Sequence, residues 1–184
     1  MNLITKTHKT AVVIIPPCSS WEPIQEIRKQ HDQQIRRWMP HITLIYPFRP
    51  PGQFQDLAHE FSQALAETKP FTITLQEFRL FDHGKEKYTL WLTPEPQEEI
   101  IRLQSLLQAV VPDCDEVSAF GSGFVPHLSV GQVKGQKRMQ QLIGELQSRW
   151  QSMSFRVQEI SLISRGDPPD DVFRVNEKVL MSFH

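Results

Sequence analysis

One short pattern occurs twice. Pro40-His41-Ile42-Thr43-Leu44 and Pro126-His127-Leu128-Ser129-Val130 share the order Pro-His-aliphatic-hydroxyl-aliphatic, with the two histidines 86 residues apart. A longer order repeats around them. Residues 11–15 form a β-branched run closed by Pro16-Pro17, which suits a buried strand. A helix is predicted over 21–38, with Ile24, Ile27, His31, Ile35 and Trp38 near one face and Pro23 in its first turn. The first motif follows, and after Pro50-Pro51-Gly52 a second helix carries Phe54, Leu57, Ala58, Phe61 and Leu65. Phe71, Ile73 and Leu75 then alternate until the phase slips at Gln76-Glu77 and resumes with Phe78 and Leu80. A one-residue slip in a period-two pattern predicts a β-bulge.

The second half runs in the same order. Beyond the turn Asp82-His83-Gly84, Tyr88, Leu90 and Leu92 alternate along a strand that closes at Thr93-Pro94. One helix carries Ile100, Leu103, Leu107 and Val110; another, after the second motif, carries Met139, Leu142, Ile143, Leu146 and Trp150. Phe155 and Val157 alternate, slip at Gln158-Glu159, and resume with Ile160 and Leu162, before a last hairpin with its loop at 165–171. A period of roughly 80 residues is too long for a solenoid. It predicts an α+β fold built from a duplicated unit: two lobes, each an antiparallel sheet with helices on its outer face, and a cleft between them lined by the motif strands. The lobes are expected at about 10–81 and 86–180, with terminal strands able to exchange between them. No Ser- or Gly-rich linker divides the halves, so residues 1–184 are expected to form a single domain.

A net charge of −1 excludes a protein that coats nucleic acid by bulk electrostatics, so a nucleic-acid ligand should be small or gripped at one end. Two cysteines, Cys18 and Cys114, make neither a disulfide framework nor a metal-ligand spacing, and point to reduced thiols in a cytoplasmic protein. The apolar run at 11–15 is too short for a membrane span or a signal-peptide core.

On a strand, side chains two apart share a face, so His41 and Thr43 point one way, as do His127 and Ser129. An unperturbed imidazole titrates near ~6.5, so two of them facing each other suit concerted acid–base chemistry at a phosphodiester. Thr43 and Ser129 can then donate to the non-bridging oxygens. Two histidines and two hydroxyls make a poor zinc site, and no His-Glu-x-x-His or Cys-x-x-Cys pattern supplies a better one; neither a metal nor a cofactor is expected.

These residues resemble the 2H phosphoesterase superfamily, which includes 2′-5′ RNA ligases and cyclic nucleotide phosphodiesterases. His41-Ile42-Thr43-Leu44 and His127-Leu128-Ser129-Val130 match its paired His-x-Thr/Ser-x motif, and the resemblance runs from about residue 11 to 180. It implies metal- and ATP-independent phosphoesterase chemistry that opens 2′,3′-cyclic phosphates or forms and cleaves 2′-5′ linkages. It also implies acid or base roles for His41 and His127 and phosphate-binding roles for Thr43 and Ser129. By analogy His127 activates the nucleophile and His41 protonates the leaving oxygen, roles that exchange in a reversible reaction. The expected partners are RNA ends or small nucleotides with a cyclic phosphate or 2′-5′ linkage, with no membrane, and the chain is expected to be a monomer.

Other residues carry weaker signals. Tyr46, Phe48 and Phe124 could stack on a base, although Tyr46 and Phe48 share the phase of Ile42 and Leu44, where core packing competes. Arg165 could clamp a phosphate at the cleft rim, against the nearby Asp167, Asp170 and Asp171; Arg36 and Arg37 read as a solvated helix end. Lys134, Lys137 and Arg138 could guide RNA or merely begin a charged helix. His31 and His59 read as structural, and His8, His83 and His184 carry no signal. A non-catalytic nucleotide or RNA-end binding module that keeps the cleft is the alternative, and an interaction scaffold a third reading. Two intact His–hydroxyl pairs favour the enzyme.

Overall fold

The alternating and helical stretches fold into eight strands and four α-helices in a computed structural model that describes residues 5–119 and 121–182. His184 lies outside the described residues. In chain order the elements are β1 (Thr10–Ile14), α1 (Trp21–His31), β2 (Ile42–Ile45), α2 (Phe54–Ala64), β3 (Phe71–Asp82), β4 (Lys87–Glu95), α3 (Gln97–Val110), β5 (Leu128–Lys134), α4 (Gln136–Arg149), β6 (Met153–Val157), β7 (Glu159–Ser164) and β8 (Arg174–Leu180). They build two four-stranded antiparallel sheets, ordered β2-β1-β7-β8 and β5-β4-β3-β6. The motif strands β2 and β5 are the edge strands that meet between the sheets.

Neither sheet is contiguous in sequence. β3 belongs to the first half of the chain but pairs with β4, and β7 belongs to the second but pairs with β1. The hinge of this exchange is the pair β3–β6, where Ile73 lies opposite Phe155 and Leu75 opposite Met153. At Gln76 the register of β3 shifts, as the sequence predicts for a bulge. At Gln158 the slip has another cause: β6 ends at Val157 and β7 begins at Glu159, so the chain leaves one sheet and enters the other. A change of sheet resets which parity faces the core, and in sequence it looks the same as a bulge.

Two further bulges lie beside the motifs. Val12 pairs with Ile45 and Val13 with Thr43, so Leu44 is the extra residue; Leu90 pairs with Gly131 and Trp91 with Ser129, so Val130 is. Both extra residues are fully buried. The fourth residue of each motif therefore anchors its strand in the main core, at about 1.5–3 kcal/mol per buried aliphatic side chain.

The first helix is shorter than its apolar stripe predicts. It stops at His31, and Asp32 is already extended. Asp32 accepts from Arg28 Nε at 2.7 Å and from the Gln34 N–H at 2.9 Å, which draws the chain out of the helix. α1 then packs across onto β5, with α4 on β3 and β5, while α2 packs on β8 and against α3. At the α1–β5 contact only glycine fits, since a Cβ on Gly131 would stand 2.5 Å from His31 Cβ and 2.8 Å from the His31 carbonyl oxygen. The remaining apolar stripes pack as their periodicity predicts, with Phe54, Leu57 and Phe61 buried on α2, Ile100, Leu103 and Leu107 on α3, and Met139 and Leu142 on α4. No described helix is long and apolar enough to cross a membrane. Cys18 is exposed and Cys114 buried, and they are not bonded to each other.

Candidate active site

Each motif histidine sits one residue before its strand, and each is held the same way. His41 Nδ1 lies 2.7 Å from the Met39 carbonyl, and His127 Nδ1 lies 2.7 Å from the Val125 carbonyl. A carbonyl only accepts, so both rings carry their proton on Nδ1 and leave Nε2 for chemistry. The repeat thus reproduces the tautomer-fixing contact as well as the residue types.

Aromatic rings support both imidazoles. Trp38 stacks on His41 with centroids 4.6 Å apart and an interplanar angle of 17°, and Phe173 also stacks on Trp38, with centroids 3.8 Å apart. His127 stands edge-on to Phe81 at 4.8 Å and to Trp91 at 5.8 Å. Desolvation in these surroundings pushes the His41 pKa down to about 4, and the positive charges of Arg28 and a protonated His127 act in the same direction. Burial also lowers the His127 pKa, opposed by its bond to Val125. Both are neutral near pH 7 in the unliganded protein, and an anion bound between them would draw a proton onto one.

Thr43, His127 and Phe124 line one cavity of about 440 Å³, together with Phe81, His83 and Gly123. Ser129 lies on β5 opposite Trp91 and is half-buried. The remaining substrate-binding candidates do not join this cavity. Phe48 is fully buried between Phe54 and Phe61, so it offers no face to a base; its parity with Ile42 and Leu44 put it in the core. Tyr46 donates its hydroxyl to the His8 carbonyl and lies edge-on to Trp38. Arg165 Cζ stands 5.6 Å from the ring centroid of Phe173, which stacks on Trp38, and its buried Nε has no acceptor. The aspartates near it are all engaged: Asp167 by Lys9, Asp170 by Arg174, and the buried Asp171 by Arg36 and Arg37. Arg36 and Arg37 therefore fasten the last hairpin loop to the segment before the first motif, and do not simply end a helix.

Sequence reasoning missed Trp38, Phe81, Trp91 and Arg28. Phe81 and Trp91 stand out of phase with the core residues Phe78, Leu80, Leu90 and Leu92, and an aromatic on the supposedly polar parity was the available signal. Arg28, 2% exposed, gives its donors to Asp32, Gln25 and the Trp38 carbonyl. Asp32 and Gln33 in turn meet Gln132 of β5. One buried arginine thus ties the segment bearing Trp38 and His41 to the strand of the second motif. Among the described residues, no group of three or more His, Cys, Asp or Glu comes together to hold a metal ion.

Two sheets joined by exchanged strands, with matched His–hydroxyl pairs on their edge strands, define the class of fold. The chain belongs to the 2′-5′ RNA ligase superfamily, which it matches over residues 16–169. It is 30% identical over 152 residues to an RNA 2′,3′-cyclic phosphodiesterase of Methanothermobacter thermautotrophicus, covering 76% of this chain and 78% of that one. Among solved structures it superposes on E. coli LigT complexed with 3′-AMP, with a TM-score of 0.64 and 16% identity over 97% of this chain and all of that one. TT0787 of Thermus thermophilus gives a TM-score of 0.63 at 17% identity, over 94% of this chain and 97% of that one. Those two likenesses establish the α+β two-lobed fold. Family and relatives together mark the protein as a phosphoesterase of the cyclic-phosphodiesterase type.

Proposed function

We propose that the protein opens 2′,3′-cyclic phosphates on RNA or nucleotide ends, and that the same site can form and cleave 2′-5′ linkages. The observation that carries this reading is the repeated Nδ1–H bond to a backbone carbonyl, which leaves a matched Nε2 on His41 and His127. In hydrolysis, His127 Nε2 takes a proton from water as the water oxygen bonds to phosphorus. The bond from phosphorus to one ribose oxygen breaks, and that oxygen takes a proton from His41 Nε2. Thr43 and Ser129 donate to the non-bridging oxygens. His41, with its pKa near 4 in the free protein, becomes a proton donor only when the phosphodiester's charge raises it. In the reverse direction the two rings exchange roles.

The test is product analysis with 2′,3′-cyclic AMP and a short RNA ending in a 2′,3′-cyclic phosphate, by phosphorus NMR. Accumulation of a single phosphomonoester, 2′ or 3′, is the expected result. Nucleotide binding without any turnover would instead establish the non-catalytic binding module.

A further inference from the structure

We propose that the body of the substrate is an RNA strand that leaves the cavity across the basic end of the β3–β4–β5 sheet, contacting Lys85, Lys87, Lys134, Lys137 and Arg138. The protein would then prefer oligoribonucleotide ends to free cyclic mononucleotides. This rests on the cyclic-phosphate reading above.

The strand register supplies the first part of the argument. Trp91 lies opposite Ser129, Thr89 opposite Gln132, and Lys87 opposite Lys134. Cross-strand partners share a face, and Lys87, Thr89 and Trp91 alternate along β4. Both lysines therefore lie on the face that carries Ser129 and the Trp91 ring beside His127, about 15 Å farther along β5. His83, which lines the cavity and contacts Thr89 Oγ1 at 2.8 Å, stands between the cavity and the lysines.

The second part is electrostatic. Like charges directly opposite one another on neighbouring strands are destabilising, yet Lys87 and Lys134 occupy such a pair. Lys137 and Arg138 lie in the first turn of α4, which holds no acidic residue, although the positive end of a helix dipole disfavours cations. Lys85 is presented from a hairpin in which it and Glu86 both adopt positive φ, 51° and 56°. The Glu86 carbonyl accepts from the Gly135 N–H at 2.9 Å, which locks this hairpin to the β5–α4 turn between Lys134 and the helix start that carries Lys137 and Arg138. All five are exposed, and none forms an ion pair with a described carboxylate, the nearby Asp82 and Glu86 included. In a chain of net charge −1, such a cluster suits a polyanion that arrives from the active cavity.

The experiment measures binding and turnover separately on the full chain. Binding of a fluorescein-labelled octaribonucleotide with an unreactive 3′-phosphate is followed by anisotropy at 50 and 200 mM salt. Turnover is compared on the matching 2′,3′-cyclic-phosphate octamer and on a cyclic mononucleotide. With all five cations on phosphates, wild-type affinity falls about 130-fold between the two salts, and about 18-fold in Lys87→Ser/Lys134→Ser. The variant should lose at least about tenfold in kcat/KM on the octamer while staying within twofold on the mononucleotide. Lys137→Gln/Arg138→Gln, on a different element, should reproduce this pattern, which keeps the test valid where one pair disturbs folding. Equal salt dependence in wild type and both variants, or equal losses on octamer and mononucleotide, overturns the proposal. Displacement of the RNA by polyglutamate of equal length, as effective as by unlabelled RNA, would overturn it in favour of a general polyanion surface. Salt-dependent octamer binding without turnover of either substrate would sink the cyclic-phosphate reading and leave the surface standing.

Discussion

Acid should destabilise this protein through His41. In the unfolded chain that imidazole binds a proton below about pH 6.5, whereas in the fold it does so only near pH 4. Between those values the unfolded state holds more protons, so stability is complete above about pH 6.5 and is lost as the pH falls towards 4. The 2.5-unit gap corresponds to about 3 kcal/mol, an upper limit because the half-buried ring keeps some contact with water. Urea unfolding at pH 7, 6, 5 and 4 measures it, with His41→Gln as the non-titrating reference. Every other group titrates in both proteins, so the difference between the two curves isolates His41. The wild type should lose up to about 3 kcal/mol more than the variant over this window. Parallel curves would refute the claim that desolvation beside Trp38 holds His41 neutral.

Three further outcomes follow from the packing. Gly131→Ala should cost about 1–3 kcal/mol in urea unfolding, because the new Cβ would collide with His31 Cβ and its carbonyl and lift α1 from β5. Arg28→Ala should cost about 3–5 kcal/mol, since it leaves the buried Asp32 carboxylate without its cation; an unchanged unfolding midpoint would remove Arg28 as the tie between the half-sites. Phe124→Ala should raise KM for a cyclic nucleotide about tenfold with kcat nearly unchanged, as expected for a lost stacking surface in steady-state kinetics.

The sequence carried the local part of this structure well and the long-range part poorly. Period-two and helical stripes located most strands and helices, because which side chains face inward is a local property, although residues 155–162 read as one bulged strand and are two. Which strands pair is not local: nothing in Phe71–Asp82 says that it joins β4 while β7 crosses to β1. The slip at Gln158 looked like the one at Gln76 because parity reports a reset without its cause. α1 stopped early because the Arg28–Asp32 pair overrides an apolar stripe that continues to Trp38. Trp38 was assigned to that stripe and instead stacks on His41. For the proposed site, duplication singled out His41, Thr43, His127 and Ser129, whereas the aromatic rings that hold the imidazoles occur once each and had no partner copy to mark them. Phe48 lost its place as a base-stacking candidate to its own parity.

The most direct measurement is hydrolysis of 2′,3′-cyclic AMP by wild type, His41→Ala and His127→Ala in the presence of EDTA. Wild-type turnover should be unaffected by the chelator, and each substitution should lower kcat/KM by about 10²–10⁴. Loss of wild-type activity in EDTA, or variants within about threefold of wild type, would contradict the two-histidine account.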